Sequence, residues 1–132
     1  MNGQFHTIRS SEDSERFQDV SNGLHDGHII RVEYVNSGVS CTDNSIFYDP
    51  LRTNLVFHIL VTSLPGKPTF EIVFNKVLEC QIKTDYYSDM IGFSIQFLDH
   101  GYMLWADDIP TDIDLLKQGT YVIAESIQYR ML

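Results

Sequence analysis

The run Ile91-Gly92-Phe93-Ser94-Ile95-Gln96-Phe97-Leu98-Asp99-His100-Gly101-Tyr102-Met103-Leu104-Trp105-Ala106 alternates apolar and polar residues up to a turn and resumes beyond it. Successive side chains of a strand point to opposite faces, so Ile91, Phe93, Ile95 and Phe97 read as the core face of one strand. Asp99-His100-Gly101 suits a three-residue hairpin loop with glycine in the left-handed position. That loop pairs Leu98 with Tyr102, Phe97 with Met103 and Ile95 with Trp105. Met103 and Trp105 then join the same face. A slip of one residue would set Trp105 among polar neighbours, so the hydrophobic pattern selects this register.

Upstream, Phe70, Ile72 and Phe74 alternate with Glu71, Val73 and Asn75, and Leu78, Cys80 and Ile82 with Glu79, Gln81 and Lys83. A hairpin loop at Asn75-Lys76-Val77 would pair Phe74 with Leu78 and Ile72 with Cys80. Val77 is poorly suited to a left-handed conformation, which makes one long bent strand the alternative. Both versions are expected to bury the same face. Asn54 to Thr62 is almost wholly apolar and reads as a strand covered on both sides. Ile29 to Val35 sets Ile30, Val32 and Tyr34 against Arg31 and Glu33, Val39 to Thr42 forms a weaker second strand, and Ser45 to Tyr48 a short edge segment. Tyr121 to Arg130 is the last strand, with Glu125 the one charge on the face of Tyr121, Ile123, Ile127 and Tyr129.

Two short helices complete the pattern. Ser10 and Ser11 followed by acids open one over 11–21, whose apolar residues Phe17 and Val20 require docking on the sheet. Thr111 as cap, Asp112 and Asp114 in the first turn and Gly119 past the end frame another over 111–118. Residues 1–9 carry no pattern and are expected to be disordered. The expected fold is a mainly β single domain over 1–132, with its β domain over 28–130. It would be an antiparallel curved sheet, sandwich or partly open barrel of about seven or eight strands, with one or two short helices.

At 132 residues with 43% hydrophobic residues, the chain can bury a core without staples. No apolar run approaches the ~20 residues of a membrane helix. Met1 to Glu15 lacks a basic start and an apolar stretch, so no secretory signal is expected and the cytoplasm is the expected compartment. Cys41 and Cys80 lack metal-type spacing and read as buried free thiols. Nine basic against eighteen acidic residues give a formal charge of -9. That argues against nucleic acid or an anionic membrane and is compatible with a basic protein partner.

Between Asp99 and Asp114 stand five aspartates and no Lys or Arg. Asp107, Asp108, Asp112 and Asp114 are candidate contacts to a basic partner; the alternative is loop and helix-cap chemistry. The spacing departs from an EF-hand loop, and no metal or cofactor is expected. Leu24-His25-Asp26-Gly27-His28 is the densest polar cluster. His25, Asp26, His28 and Glu125 could build a pocket for proton transfer or a small molecule; the alternative is an Asp-Gly turn entering a strand. His58 reads as a satisfied core histidine. Phosphate loops, nucleophile elbows and zincin motifs are absent from the sequence, so an enzyme is not expected.

Leu24-His25-Asp26 before Ile29-Ile30, then Phe70-Glu71-Ile72-Val73-Phe74-Asn75-Lys76-Val77, Tyr102-Met103-Leu104-Trp105-Ala106-Asp107 and Glu125-Ser126-Ile127-Gln128-Tyr129-Arg130, follow in an order that resembles small bacterial β-rich proteins. Some of those are immunity proteins of polymorphic toxin systems. The chain departs from them at Leu24 and Tyr129, where they carry an aromatic residue and a Trp. The resemblance implies a non-enzymatic bacterial β-rich domain; with the acidic charge, the leading expectation is a binding protein of the immunity kind that masks a basic toxin through an acidic surface. A small-molecule-binding barrel or minor enzyme, and a structural homo-oligomer using an open edge such as Ser45 to Tyr48, are the competing classes.

Overall fold

The computed structural model describes residues 3–83, 90–109 and 112–132. In chain order, β1 (His6–Ile8) leads to α1 (Ser11–Val20), β2 (Gly27–Asn36), β3 (Val39–Cys41), β4 (Ile46–Tyr48), β5 (Thr53–Val61) and β6 (Thr69–Gln81). Next come β7 (Ser94–Phe97), β8 (Met103–Ala106), α2 (Ile113–Leu116) and β9 (Tyr121–Met131). Seven strands form one antiparallel sheet in the order β2-β5-β6-β9-β8-β7, with β1 also on β9. A separate pair, β3-β4, extends from it. The large sheet does not close into a barrel: its outer strand β2 meets only a single bridge, Gly27 to Met90, among the described residues.

The hairpin of β7 and β8 adopts the register that the alternation specifies, Ile95 opposite Trp105 and Phe97 opposite Met103. Leu98 N donates to Tyr102 O at 2.8 Å. His100 as well as Gly101 takes a positive φ, 64° and 80°. Trp105 is fully buried, edge-on to Phe57 at 5.7 Å and Phe74 at 5.8 Å between ring centroids. Around it pack Leu55, Ile59, Phe70, Ile72, Phe93 and Ile127. The α1 helix, capped by Ser10 Oγ accepting from Asp13 N, docks through Phe17, whose ring stacks on Tyr129 at 4.0 Å and lies 4.7 Å from Phe93. Val20 stays exposed, so Phe17 is the one buried side chain of the helix, and Gln18 Nε2 adds a bond to Phe93 O at 2.7 Å.

Alternation fails at identifiable places. Strand β7 begins only at Ser94, and Ile91, 70% exposed, and Phe97 lie outside the core. Thr69–Gln81 is the single long strand, not a hairpin: Lys76 has φ 55° and the register against β9 shifts between Val77 and Glu79. Past that bulge Leu78, Cys80 and Ile82 are exposed, so the expectation of one continuous buried face does not hold. The cysteines are free but exposed, not buried. On β9 the alternation reverses at Glu125. Ile127 and Tyr129 belong to the main core, whereas Tyr121 and Ile123 join Leu104, Ala106 and Leu116 of α2 on the opposite face. There Tyr121 Oη donates to Glu79 at 2.5 Å, and that carboxylate pushes the phenol up to about 12. Gln81 Nε2 donates to Lys117 O and Gly119 O, tying the end of α2 to β6.

Three further expectations change. Residues 6–8 are ordered as β1, because β9 offers a free edge and Ile8 a buried side chain. Thr111 lies outside the described residues, and Asp112 caps α2, its Oδ1 accepting from Asp114 N at 2.9 Å. Strand β5 is fully covered on its Leu55, Phe57, Ile59 and Val61 side only; Val56, His58 and Leu60 are half-buried.

Trp105 Nε1 is the one buried side-chain nitrogen or oxygen without a hydrogen-bond partner among the described residues. An orphaned donor costs about 1–3 kcal/mol, which offsets part of what the ring contributes. Trp105→Phe should therefore destabilise by less than about 2 kcal/mol, against about 3–5 kcal/mol for Trp105→Ala, measured by urea unfolding.

Candidate interaction surface

Residues 37–52, between β2 and β5, form an arm rather than part of the sheet. Chain direction is fixed at its base: Ser37 N donates to Arg52 O at 3.2 Å, Asp49 N to Gly38 O at 2.9 Å, and Gly38 N to Asn36 Oδ1 at 2.9 Å. A Cβ at Gly38 would lie 2.5 Å from Asp49 O, so only glycine allows the two strands to cross so closely. Val39 opposes Tyr48, Ser40 opposes Phe47 and Cys41 opposes Ile46, and Thr42 N closes the tip on Ser45 O at 2.7 Å. Nothing among the described residues covers this pair: Ile46 is 74% and Phe47 60% exposed, and Val39 and Leu51 are exposed as well. With Ile30, Val32, Tyr34 and Val35 of β2, eight large apolar side chains within residues 30–51 face solvent. Exposed apolar side chains gathered on one short arm point to an interaction site.

The four candidate aspartates are occupied differently. Asp107 is half-buried, its Oδ1 accepts from Thr120 N at 3.2 Å, and burial pushes its carboxyl above the usual aspartate value. Asp108 Oδ1 accepts from Ile109 N at 2.8 Å, and Asp112 is the cap of α2. Asp114 is exposed, and among the described residues no backbone N–H bonds its carboxylate. Turn and cap chemistry accounts for three of the four carboxylates.

The pocket set is not brought together. His25 Nδ1 lies 3.0 Å from Ile91 O, and its Nε2 is 3.8 Å from Asp26, both side chains exposed. Asp26 serves through its backbone, its carbonyl accepting from Thr62 N and Oγ1, in a turn where Asn22, Leu24 and Asp26 all have positive φ. His28, the second residue of β2, stands opposite Leu60. Glu125 stands on β9, separated from β2 by β5 and β6, and pairs with Lys76 at 3.4 Å. It lines instead an open cleft of about 640 Å³ with Arg9, Tyr102, Met103 and Gln128, where β1 and β8 share the edge of β9 without touching end to end.

Sequence reading missed a row that crosses the outer face of the sheet. Arg31, His58, Glu71 and Arg130 stand opposite one another on β2, β5, β6 and β9. Glu71 accepts from His58 Nε2 at 2.7 Å and from Arg130 Nε at 2.9 Å. Partial burial alone would raise the Glu71 carboxyl, but those two bonds and the Arg130 charge hold it below the usual glutamate value. An imidazole on a carboxylate can relay a proton. Here both carboxylate oxygens are already engaged, and the arrangement reads as a cross-strand tie. Its signal was the register alone.

No protein-family model, curated protein or solved structure matches the chain. No helix among the described residues is long and apolar enough to cross a membrane, and no three His, Cys, Asp or Glu side chains among them group around a metal-sized space.

Because Glu71 binds its proton less readily folded than unfolded, its contribution is fully present above the ordinary glutamate value and is lost progressively as pH falls from there through the lowered folded value. Glu71→Gln should cost about 1–3 kcal/mol at neutral pH. It should also flatten the loss of stability below about pH 4.3, read from urea midpoints on either side of that pH.

Proposed function

We propose that the protein is a non-enzymatic protein-binding domain that docks a basic partner through the β3-β4 arm. The observation that carries this reading is the arm itself: a hydrogen-bonded ribbon, fixed at its base, that presents Val39, Ile46, Phe47 and Leu51 to solvent. Such side chains gain when a partner removes them from water, at roughly 25 cal/mol per Å² of apolar surface. The formal charge of -9 supplies the long-range term, steering a cationic partner toward the molecule before the apolar contacts form. On this reading Asp107, Asp108, Asp112 and Asp114 act through their summed potential rather than as docking contacts, since three of them are spent on loop and cap bonds. The likeness to immunity proteins supports a toxin as the partner, in a bacterial cytoplasm.

Ile46→Ser combined with Phe47→Ser leaves the core untouched, and its effect on binding is the test. Wild-type protein immobilised in extract of its native host should retain a basic protein at low salt and release most of it at high salt. The double variant, equally folded by circular dichroism, should retain at least about tenfold less. Equal retention by both proteins, or retention of acidic proteins only, would sink the reading.

A further inference from the structure

Two strands share one edge of β9 in tandem. Ile8 of β1 stands opposite Ile127 and Met103 of β8 opposite Ala124, both strands antiparallel to β9. Between them Glu125 and Ser126 have no strand opposite on that side among the described residues. Three residue positions separate the two pairs, so the seam is about 10 Å long. The chain turns away at both ends of it, leaving β1 at Arg9 for the Ser10 cap of α1 and entering β8 from the turn at Gly101. What remains is the open cleft of about 640 Å³ on this edge, a volume ordinary for a small-molecule site.

Its lining is half apolar wall and half polar groups with capacity to spare. Ile8, Phe97, Leu98 and Met103 supply the wall, and the Phe97 ring is left 44% exposed. The hydroxyls of Tyr102 and Ser126 make no hydrogen bond among the described residues. Two charged side chains complete the lining, Arg9 and Glu125. Both oxygens of Glu125 lie 3.4 Å from Lys76 Nζ, so that carboxylate already has its counter-charge. The Arg9 guanidinium has no ion-pair partner among the described residues, since the neighbouring Asp13 accepts from Arg9 N and pairs with Arg16 instead. The charge left over in the cleft is therefore positive, in a chain of net charge -9. Distance decides between the two: the field of the whole chain is screened over about 8 Å at physiological salt, whereas an anion in the cleft touches Arg9 directly.

We propose that this seam binds a small amphiphilic monocarboxylate about 10 Å long, its carboxylate on Arg9 and its apolar tail along Phe97, Leu98 and Met103. A planar guanidinium meets a carboxylate with two parallel N–H donors, and a short aryl or alkyl tail gains by covering apolar surface that the fold leaves wet. Arg9 is exposed, so its charge contributes modestly, and a ligand of about ten non-hydrogen atoms binds with a millimolar dissociation constant. Strand β6 lies between β9 and the arm-bearing β5, so the cleft is independent of docking through the arm.

Titration of the isotope-labelled full chain with hydrocinnamate, followed through amide chemical shifts, tests it. Saturable shifts are expected at residues 7–9, 97–103 and 124–128. Hydrocinnamide, the uncharged analogue, should bind at the same amides at least about threefold more weakly. Arg9→Gln should remove that difference while leaving the affinity for hydrocinnamide unchanged. Phe97→Ser should weaken both ligands and keep their ratio, and Lys67→Gln, which removes the same charge outside the cleft, should change neither. All three positions are exposed, and an unchanged spectrum away from the cleft verifies that each variant is folded. Shifts that fail to saturate or spread over the whole surface overturn the proposal. So do equal affinities for acid and amide, an Arg9→Gln chain that still prefers the acid, or a Phe97→Ser chain that binds both as before. The Ile46→Ser, Phe47→Ser double variant should bind hydrocinnamate as wild type does, so failure of either reading leaves the other standing.

Discussion

The packing of Trp105 against Phe57 and Phe74 is the contact on which the rest of the molecule depends. It joins three strands distant in sequence, β5, β6 and β8, at ring separations of 5.2 to 5.8 Å, each pair edge-on. Edge-to-face geometry suits the quadrupoles of aromatic rings and adds to the burial of their area. Because strand side chains alternate with a period of two, seating Trp105 inward fixes Met103 inward and sends Leu104 and Ala106 to the other face. That second face would be an exposed apolar strip without Leu116, which explains why the short α2 sits where it does. One ring therefore determines a hairpin register and, through it, the need for a helix.

Two neighbouring irregularities then shape the sheet. At Lys76 and Val77 on β6, and at Glu125 opposite on β9, the inward and outward sides exchange. Below that point β6 and β9 feed the main core with Phe70, Ile72, Phe74, Ile127 and Tyr129. Above it, Glu79 and Gln81 reach toward α2, while Leu78 and Cys80 remain in solvent. Glu125 breaks an apolar face in the sequence because the face itself ends there. The same stretch of β9, Glu125 and Ser126, lines the cleft between β1 and β8 on its other edge.

The surface divides by chemistry. Acidic residues gather on loops and helix starts, where aspartate satisfies backbone N–H groups, as Asp13, Asp49, Asp107, Asp108 and Asp112 all do. Apolar exposure gathers instead on β2 and the arm. These two distributions have different physical origins, one local and one tertiary. Both bear on association: net charge sets which partners approach, and the apolar arm sets where contact is made.

Sequence alone determined the mainly β class, the register of the β7-β8 hairpin, the capped α1 and the turn chemistry of the aspartates. Each of these follows from alternation or from a side chain bonding its own neighbours, which are properties of a few consecutive residues. Tertiary structure alone decided which apolar residues are core. Ile30, Val32 and Leu78 alternate as regularly as Ile72 and Phe74, and Phe47 is as apolar as Phe57, yet they lie on an outer strand, a strand end and an arm that no second layer of the described residues covers. The tie of His58, Glu71 and Arg130 was hidden for the same reason. Its members are far apart in the chain, and only the pairing of three strands makes them neighbours.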